Sequence, residues 1–373
     1  MATTYLKLFD NHPQYEEFTE TDKFILPNVS HCIEENHVHY NPIRNDMITY
    51  RANAKLPHAS ADSSLGFHAY SFAPATLVSH TFSNGVGKII FDRDITSIAN
   101  YAFRGCGGLN YIEIPKTVTR IGIYAFSTCD LYEINIPGGV TTIGQAAFVR
   151  NTHLTNLVCP NGLTSIGTHA FEDCTALKSI FIPSTVSYIG EACFQSCTAL
   201  EEVTIPTSLT TISVQTFVYC SSLKNVIIPN TITTIKERAF EGCRSLTSVH
   251  IPNSVTSIEN SAFRYCSGIT EVTIPNTITW LSNYLFSGCK SLTEVTIPNS
   301  VTSMAYGVFE NCESLEKITS LPRVAPGIQN SVFKNVKEGG TLYVPSDSTG
   351  YNTWMGTGNY YLGLYNWTTE NIE

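Results

Sequence analysis

The fold is decided by a stretch that returns ten times along the chain, and its clearest copy is Val255 to Pro275 (VTSIENSAFRYCSGITEVTIP). A fixed period of about 20–50 residues predicts a solenoid, in which each copy is too small to bury its own apolar side and stacks on its neighbours. The period is 23 residues, except that the second copy lacks one residue between Cys129 and Leu131. The copies begin at Ile95, Val118, Val140, Leu163, Val186, Leu209, Ile232, Val255, Ile278 and Val301.

Each copy carries the signals of one short strand and one turn. The alternation of a strand directs Val249 and Ile251 inward and His250 outward. Pro252 has no N–H to donate, so it ends the pairing and turns the chain at a corner. One phenylalanine per copy, such as Phe263, fills the interior with aromatic surface. The sequence therefore predicts a β-rich leucine-rich-repeat solenoid of ten 23-residue coils, with like residues stacked in columns along its axis.

The pattern I-T-S-I-x-x-x-A-F-x-x-C-x-x-L-x-x-V-x-I-P resembles the BspA-like leucine-rich repeats over residues 77–345. That family is known from secreted and surface proteins of bacteria and protozoa and is associated with adhesion to host proteins or other cells. The resemblance implies the fold and suggests adhesion. It identifies no ligand, because the matching residues are core residues and a fold does not by itself carry a function.

Composition excludes several classes of partner. The chain has 22 Lys and Arg against 31 Asp and Glu, a net charge of −9, and only 14% charged residues. An acidic, weakly charged surface disfavours nucleic acid and anionic membranes as partners. No stretch reaches the roughly 20 apolar residues that cross a bilayer. The first residues show no secretion signal. We expect a virion or an extracellular surface location, which the protein would then reach after removal of a leader or by another export route.

The cysteines follow the repeat. One thiol per coil gives a column in which no cysteine has a preferred disulfide partner. Neighbouring thiols would lie about 5 Å apart, a distance that by itself does not exclude disulfides. The spacing lacks the C-x-x-C pairs typical of zinc sites. We expect buried free thiols that act as small hydrophobic side chains. The third copy has Asn151 at this repeat position. The other nine copies have a cysteine there, namely Cys106, Cys129, Cys174, Cys197, Cys220, Cys243, Cys266, Cys289 and Cys312.

Three segments precede the repeats. Residues 1–50 are interpreted as an attachment or assembly unit of α+β or hairpin type, and residues 51–76 as a connector. Residues 77–94 form a predicted hairpin, because Asn84-Gly85 favours a type I′ turn. This hairpin is expected to cap the stack and to cover its open sheet edge.

The run from Leu26 to Pro42 resembles an N-terminal segment found ahead of varied modules in proteins of phages and prophages of gut bacteria. The resemblance implies an attachment module that carries the solenoid, and a chain that is a homo-oligomer or part of a larger complex. The same run contains His31, His37 and His39, which could hold a metal ion but are more often surface residues, so no metal is predicted.

After the repeats, which are predicted to end at residue 322, residues 323–373 form an aromatic cap. Two interpretations stay open for this cap. Its aromatic side chains could stack on a sugar, or they could seal the last coil. The candidates for sugar stacking are Trp354, Tyr360, Tyr361 and Trp367.

A binding surface is expected where outward positions vary while the core stays constant. The two residues after each phenylalanine are such positions, and so is the residue before the buried Ile or Leu of each turn. Tyr, Trp and Arg are the residue types that anchor interfaces. The candidates at these positions are Arg104, Arg150, Tyr188, Tyr219, Arg264, Tyr265 and Trp280.

No catalytic motif or cofactor-binding motif is found, so the sequence predicts a protein that is not an enzyme and that holds no cofactor. The first hypothesis is a recognition protein displayed on a larger assembly, a phage virion in which it is a fibre or decoration protein, that binds protein or glycan at a cell surface. The second is a secreted or cell-surface BspA-like adhesin. The third is a glycan-binding module that uses the aromatic C-terminus.

Overall fold

The computed structural model describes residues 45–56, residue 72 and residues 75–373. The phage-like segment, the three histidines of the predicted metal alternative and Cys32 lie outside these residues. Among the described residues, no helix is long and apolar enough to span a bilayer. A 3-10 helix, Leu362–Tyr365, lies near the C-terminal end.

The N-terminal end of the stack is an antiparallel sheet of four strands in the order β2-β3-β1-β5. The predicted hairpin is confirmed, with left-handed φ values of 50° at Asn84 and 77° at Gly85. The prediction that this hairpin itself covers the edge of the stack is wrong, because β1 lies between them and pairs with both β3 and β5. The strands are β1 (Met47–Ala52), β2 (Leu77–Ser83), β3 (Val86–Phe91) and β5 (Leu109–Glu113).

Strand β1 explains this arrangement by its alternation. Ile48, Tyr50 and Ala52 are buried, and the residues between them face outward. The Tyr50 hydroxyl lies 2.7 Å from Nε2 of His80 and accepts the N–H of Leu56 at 3.2 Å, so its polar end is satisfied in the core. Residues that the sequence divides between an attachment unit and a connector therefore contribute a strand to the cap of the solenoid.

The second coil contributes only a single bridge, between Glu113 and Asn135, and each coil after it contributes a strand of three to five residues to one side of the solenoid. These strands pair in parallel with residues one repeat away, such as Val203 with Val226. They form one sheet of β8 (Asn156–Val158), β10 (Ser179–Phe181), β12 (Glu202–Thr204) and β14 (Asn225–Ile227), and another of β16 (Ser248–His250), β18 (Glu271–Thr273), β20 (Glu294–Ile297), β22 (Lys317–Ser320), β24 (Thr341–Pro345) and β25 (Thr368–Ile372).

The second side is built from two-residue parallel strands, each ending in a hydrophobic residue that faces the core. They fall into three sheets. The first contains β4 (Ser97–Ile98), β6 (Arg120–Ile121), β7 (Thr142–Ile143), β9 (Ser165–Ile166) and β11 (Tyr188–Ile189), the second β13 (Thr211–Ile212), β15 (Thr234–Ile235) and β17 (Ser257–Ile258), and the third β19 (Trp280–Leu281), β21 (Ser303–Met304) and β23 (Gly327–Ile328).

The breaks in this second side coincide with two serines. At the corner after each strand, a backbone N–H donates to the preceding coil, as Gly190 N does to Ile166 O at 2.9 Å. In the next coil the hydroxyl of Ser213, not a backbone N–H, donates to Ile189 O at 2.6 Å. The hydroxyl of Ser282 likewise donates to Ile258 O in its preceding coil at 2.8 Å. The side-chain donor satisfies the carbonyl, and the strand pairing is absent at both of these places in the described structure.

The interior is a set of columns. The phenylalanine rings from Phe103 to Phe333 stack one per coil, with centroids 5.3–6.2 Å apart and planes within 14° of parallel. Behind them, the thiols donate to the phenylalanine carbonyl of the preceding coil at 3.1–3.4 Å. The prediction of buried free thiols is confirmed for the described cysteines. The column therefore also satisfies backbone acceptors, a role that was not predicted from the sequence.

The stack continues beyond residue 322, where the sequence placed the end of the repeats. Strand β24 pairs in parallel with β22, and β25 continues the sheet beside β24. Phe333 keeps the aromatic column in register although one extra residue separates it from Phe309. Trp354 then covers Phe333, with ring centroids 5.4 Å apart.

Candidate binding surfaces

The third side of the solenoid, called the turn face here, consists of the five-residue segments centred on each phenylalanine, such as residues 261–265. In this segment Ser261 and Tyr265 have φ of 58° and 59°. The N–H groups at alternate positions of this segment, Ser261, Phe263 and Tyr265, donate to carbonyls of the next coil at 2.8, 3.1 and 2.7 Å. At the second left-handed position Tyr265 is exposed, whereas the small side chain of Ser261 at the first is buried.

The turn face holds an arginine against two tyrosine rings at two places. Near the N-terminal end, the guanidinium of Arg104 lies 5.7 Å from the ring centroid of Tyr101 and 5.5 Å from that of Tyr124. The two rings are stacked, with centroids 5.5 Å apart. Cation–π contact of this kind contributes about 0.5–1 kcal/mol at an exposed site, and it fixes the orientation of the arginine.

The second arginine cluster consists of Arg264, Tyr265 and Tyr284. The guanidinium lies 4.5 Å from the centroid of Tyr265 and 5.1 Å from that of Tyr284, and Nη2 donates to the Tyr265 hydroxyl at 2.8 Å. Arg264 forms no ion pair within the described residues, and its Nε has no hydrogen-bond partner there. Both tyrosines are exposed. The cluster thus presents a held cation whose charge is not neutralised by a carboxylate.

Glycines in the following coil make room for these rings. A Cβ on Gly288 would lie 2.5 Å from the ring of Tyr265, and a Cβ on Gly307 would lie 2.6 Å from that of Tyr284. Tyr219 lies in the same way on Gly242, where a Cβ would come within 2.4 Å. Each ring therefore lies flat on the backbone of the next coil, which holds it in place while its outer side stays exposed.

The remaining predicted surface residues are not brought together with these clusters. Arg150 forms an ion pair with Asp173 at 3.4 Å. Tyr188 and Trp280 lie on the second side of the solenoid, 53% and 51% exposed, and four coils separate them. Their exposure agrees with the prediction, but the structure does not join them into one patch.

Apolar side chains on the outer side of the first sheet, called the strand face here, were not predicted from the sequence. Val158, Phe181 and Ile227 occupy the outward position after the buried residue of β8, β10 and β14, whereas β12 between them has Thr204 and β18, β20 and β22 also have threonine. Ile227 is 68% exposed. The signal was present, because a strand that reads hydrophobic at both alternate positions departs from a half-buried pattern.

Of the two interpretations left open for the C-terminal cap, stacking on a sugar does not fit Trp354 and Trp367, because both are buried. Trp354 is 1% exposed and donates its indole N–H to Pro326 O at 3.0 Å, and the buried Trp367 donates to Lys337 O at 2.7 Å. Both rings therefore seal the end of the stack, which was the other interpretation. Tyr360 is exposed, and its ring centroid lies 5.6 Å from Nζ of Lys334. Tyr361 is half-buried.

The described residues offer no group of three or more His, Cys, Asp or Glu side chains that could hold a metal ion. Histidines lie in separate coils, where His153 faces Asp130 at 3.9 Å and His169 faces Glu172 at 3.0 Å. These are pairs at the surface of the solenoid.

Comparison with known proteins assigns the family. The family described as BspA type leucine rich repeat region (6 copies) matches residues 75–201, 148–270 and 210–339. These ranges cover more than half of the sequence, and the chain belongs to this family of leucine-rich-repeat proteins. No curated protein matches the chain.

Several solved structures resemble the chain. A leucine-rich repeat protein from Bacteroides ovatus is 21% identical, with 86% of this chain and 99% of that chain covered and a TM-score of 0.42. A leucine rich cell surface protein from Faecalibacterium prausnitzii is 24% identical, with 82% and 98% covered and a TM-score of 0.43. The pneumococcal vaccine antigen PcpA is 16% identical, with 87% and 99% covered and a TM-score of 0.44.

Proposed function

We propose that this protein is a recognition protein without enzymatic activity, and that the turn face binds another protein at a cell surface. The observation that carries the proposal is the cluster of Arg264, Tyr265 and Tyr284, in which a half-buried guanidinium lies against two exposed tyrosine rings and has no carboxylate partner among the described residues. Arg and Tyr dominate the binding energy of protein interfaces when their conformation is fixed beforehand. Family membership supports the class of function, because BspA-like repeats are associated with adhesion.

The recurrence of the cluster strengthens the proposal. Arg104 with Tyr124 and Arg264 with Tyr284 use the same two repeat positions, an arginine directly after the phenylalanine and a tyrosine 20 residues later. Seven coils at a strand spacing of about 4.8 Å separate the two clusters by roughly 34 Å. A partner of protein size can contact both, whereas a small molecule reaches one.

The test compares the binding of fluorescently labelled protein to intact bacterial and epithelial cells. Arg264→Gln is expected to weaken binding at least about tenfold, as for an interface residue that contributes most of the energy. Arg244→Gln is the matched control, because it makes the same charge change at an exposed position one coil earlier. Equal binding of wild type, Arg264→Gln and Arg104→Gln would remove the turn face as the binding surface.

We further propose that the N-terminal residues attach the solenoid to a larger assembly, such as a phage virion. The alternative hypothesis is that the protein is a free cell-surface or secreted adhesin. The resemblance of residues 26–42 to phage-encoded segments supports attachment. Light scattering after size-exclusion chromatography on the full chain and on residues 45–373 distinguishes the two. Starting the shorter chain at residue 45 retains β1, without which β5 would lose its neighbour. An oligomer that becomes a monomer supports attachment, and two monomers favour the free adhesin.

A further inference from the structure

A groove of about 350 Å³ lies between the first two coils, at the corner where β5 ends. Its volume falls within the roughly 300–1,000 Å³ typical of small-molecule pockets. The first coil contributes an aromatic ring, a carboxylate and an ammonium group, and the second contributes an amide and two glycines. These residues are Tyr111, Glu113, Lys116, Asn135, Gly138 and Gly139.

Departures of the second copy from the repeat coincide at this groove. The missing residue between Cys129 and Leu131 shortens the coil, and the parallel ladder is reduced to a single bridge between Glu113 and Asn135. The corner then has Gly138 where five later coils have asparagine after the proline. A Cβ on Gly138 would meet no atom within 4 Å, so the space beside it is open. A shorter coil and a missing side chain together form the groove.

The polar groups of the groove are free for a ligand. Neither Glu113 nor Lys116 forms an ion pair among the described residues, whereas Lys224 in a later coil pairs with Glu201 at 2.6 Å. Tyr111 is held from one side by the guanidinium of Arg51, 5.5 Å from its ring centroid. Burial raises the pKa of the Tyr111 phenol, and the neighbouring carboxylates add to this, so the ring stays neutral.

We propose that this groove binds one sugar unit of a neutral glycan. A carboxylate and an amide accept and donate hydrogen bonds to neighbouring hydroxyl groups, Lys116 supplies further donors, and Tyr111 offers an aromatic surface to the C–H side of a sugar ring. A neutral polyol uses all of these groups without an uncompensated charge. An anionic ligand would face Glu113, and a cationic ligand would face Lys116. The site is separate from the turn face, and its existence does not depend on the proposed function.

The test is saturation-transfer difference NMR of the full protein with glucose, galactose, N-acetylglucosamine and lactose. At least one sugar is expected to bind saturably with Kd of about 1 mM. Glu113→Gln, which keeps the shape and removes the charge, is expected to raise Kd at least about tenfold, since hydrogen bonds to charged groups are the stronger ones. Gly138→Asn introduces the asparagine that other coils have at this corner and is expected to block binding without loss of folding. Thr207→Asn is the matched control at the corner of a distant coil and leaves Kd unchanged.

Two results would overturn the proposal. One is the absence of saturable transfer to any of the four sugars at concentrations up to about 10 mM, ten times the expected Kd. The other is unchanged binding in both Glu113→Gln and Gly138→Asn, with folding of each confirmed by circular dichroism. The Arg264→Gln protein separates the two sites, because it is expected to retain full sugar binding while it loses cell binding.

Discussion

Asn151 interrupts the column of buried thiols, and its replacement by cysteine tests what that column does. Its Nδ2 donates to Phe126 O and to Phe148 O, each at 2.8 Å, while its Oδ1 is buried without a hydrogen-bond partner. In the next coil, Cys174 donates its single S–H to Phe148 O at 3.3 Å. Asn151→Cys would keep one donor toward Phe126 O and remove the unpaired oxygen.

The two effects have opposite signs and unequal size. Removal of a buried, unpaired acceptor relieves a cost of about 1–3 kcal/mol, whereas loss of one hydrogen bond costs about 0.5–1.5 kcal/mol. Phe148 O keeps other donors, because the backbone N–H of Asn151 reaches it at 3.2 Å and Cys174 also donates to it. We therefore expect Asn151→Cys to increase the free energy of unfolding by about 1 kcal/mol.

Urea unfolding followed by far-ultraviolet circular dichroism measures this change. The dependence of the free energy of unfolding on urea concentration is compared between the proteins. If this slope is the same, a change in the urea midpoint reports a change in stability alone. Asn151→Ala is the matched control, because it removes the unpaired oxygen and also the donor to Phe126 O, and it should be about 1 kcal/mol less stable than Asn151→Cys. An Asn151→Cys protein that is less stable than wild type, or no more stable than Asn151→Ala, would refute the role assigned to the thiol donors.

Three further predictions concern burial. Burial raises the pKa of the Cys106 thiol from 9.0 to about 12. Above pH 9.0 the unfolded chain therefore loses a proton that the folded protein keeps, so the free energy of unfolding should fall as the pH rises. Urea unfolding at a series of pH values measures this fall. Trp354→Ala should cost about 3–5 kcal/mol and increase hydrogen exchange in the last coils, whereas Tyr360→Ala, at an exposed site, should cost less than about 0.5 kcal/mol. Gly288→Ala adds a Cβ 2.5 Å from the ring of Tyr265 at a φ of 76°, and should destabilise by more than about 1 kcal/mol in thermal unfolding; an unchanged midpoint would contradict the close packing.

Much of the fold could be predicted from the period alone. Because every copy places the same residue types at the same offsets, the inward position of residues such as Phe263 and Cys266 follows from one copy and applies to all. The Asn84-Gly85 hairpin was equally readable, since its turn chemistry is local. Strand β1 was not, because Met47–Ala52 finds its partners β3 and β5 at distances of about 40 and 60 residues along the chain, and no local signal specifies them.

The candidate surfaces were predicted only in part. Exposure of Trp280 and Tyr265 followed from their repeat positions, but exposure does not define a site. Arg264 approaches Tyr284 because residues 20 apart in sequence become neighbours when coils stack. The composition of the last 50 residues likewise left two roles open for Trp354, and its contact with Phe333 decided between them.

The sequence by itself determined the solenoid, its core columns and which positions of the repeat face the core, because a regular period repeats the same local geometry. Tertiary structure alone decided which outward residues meet, which tryptophans are buried and where the second coil opens into a groove. The physical reason is that burial of an apolar column is a property of each repeat, whereas a surface site depends on the contact between neighbouring coils, and one missing residue near Cys129 or one serine such as Ser213 changes that contact.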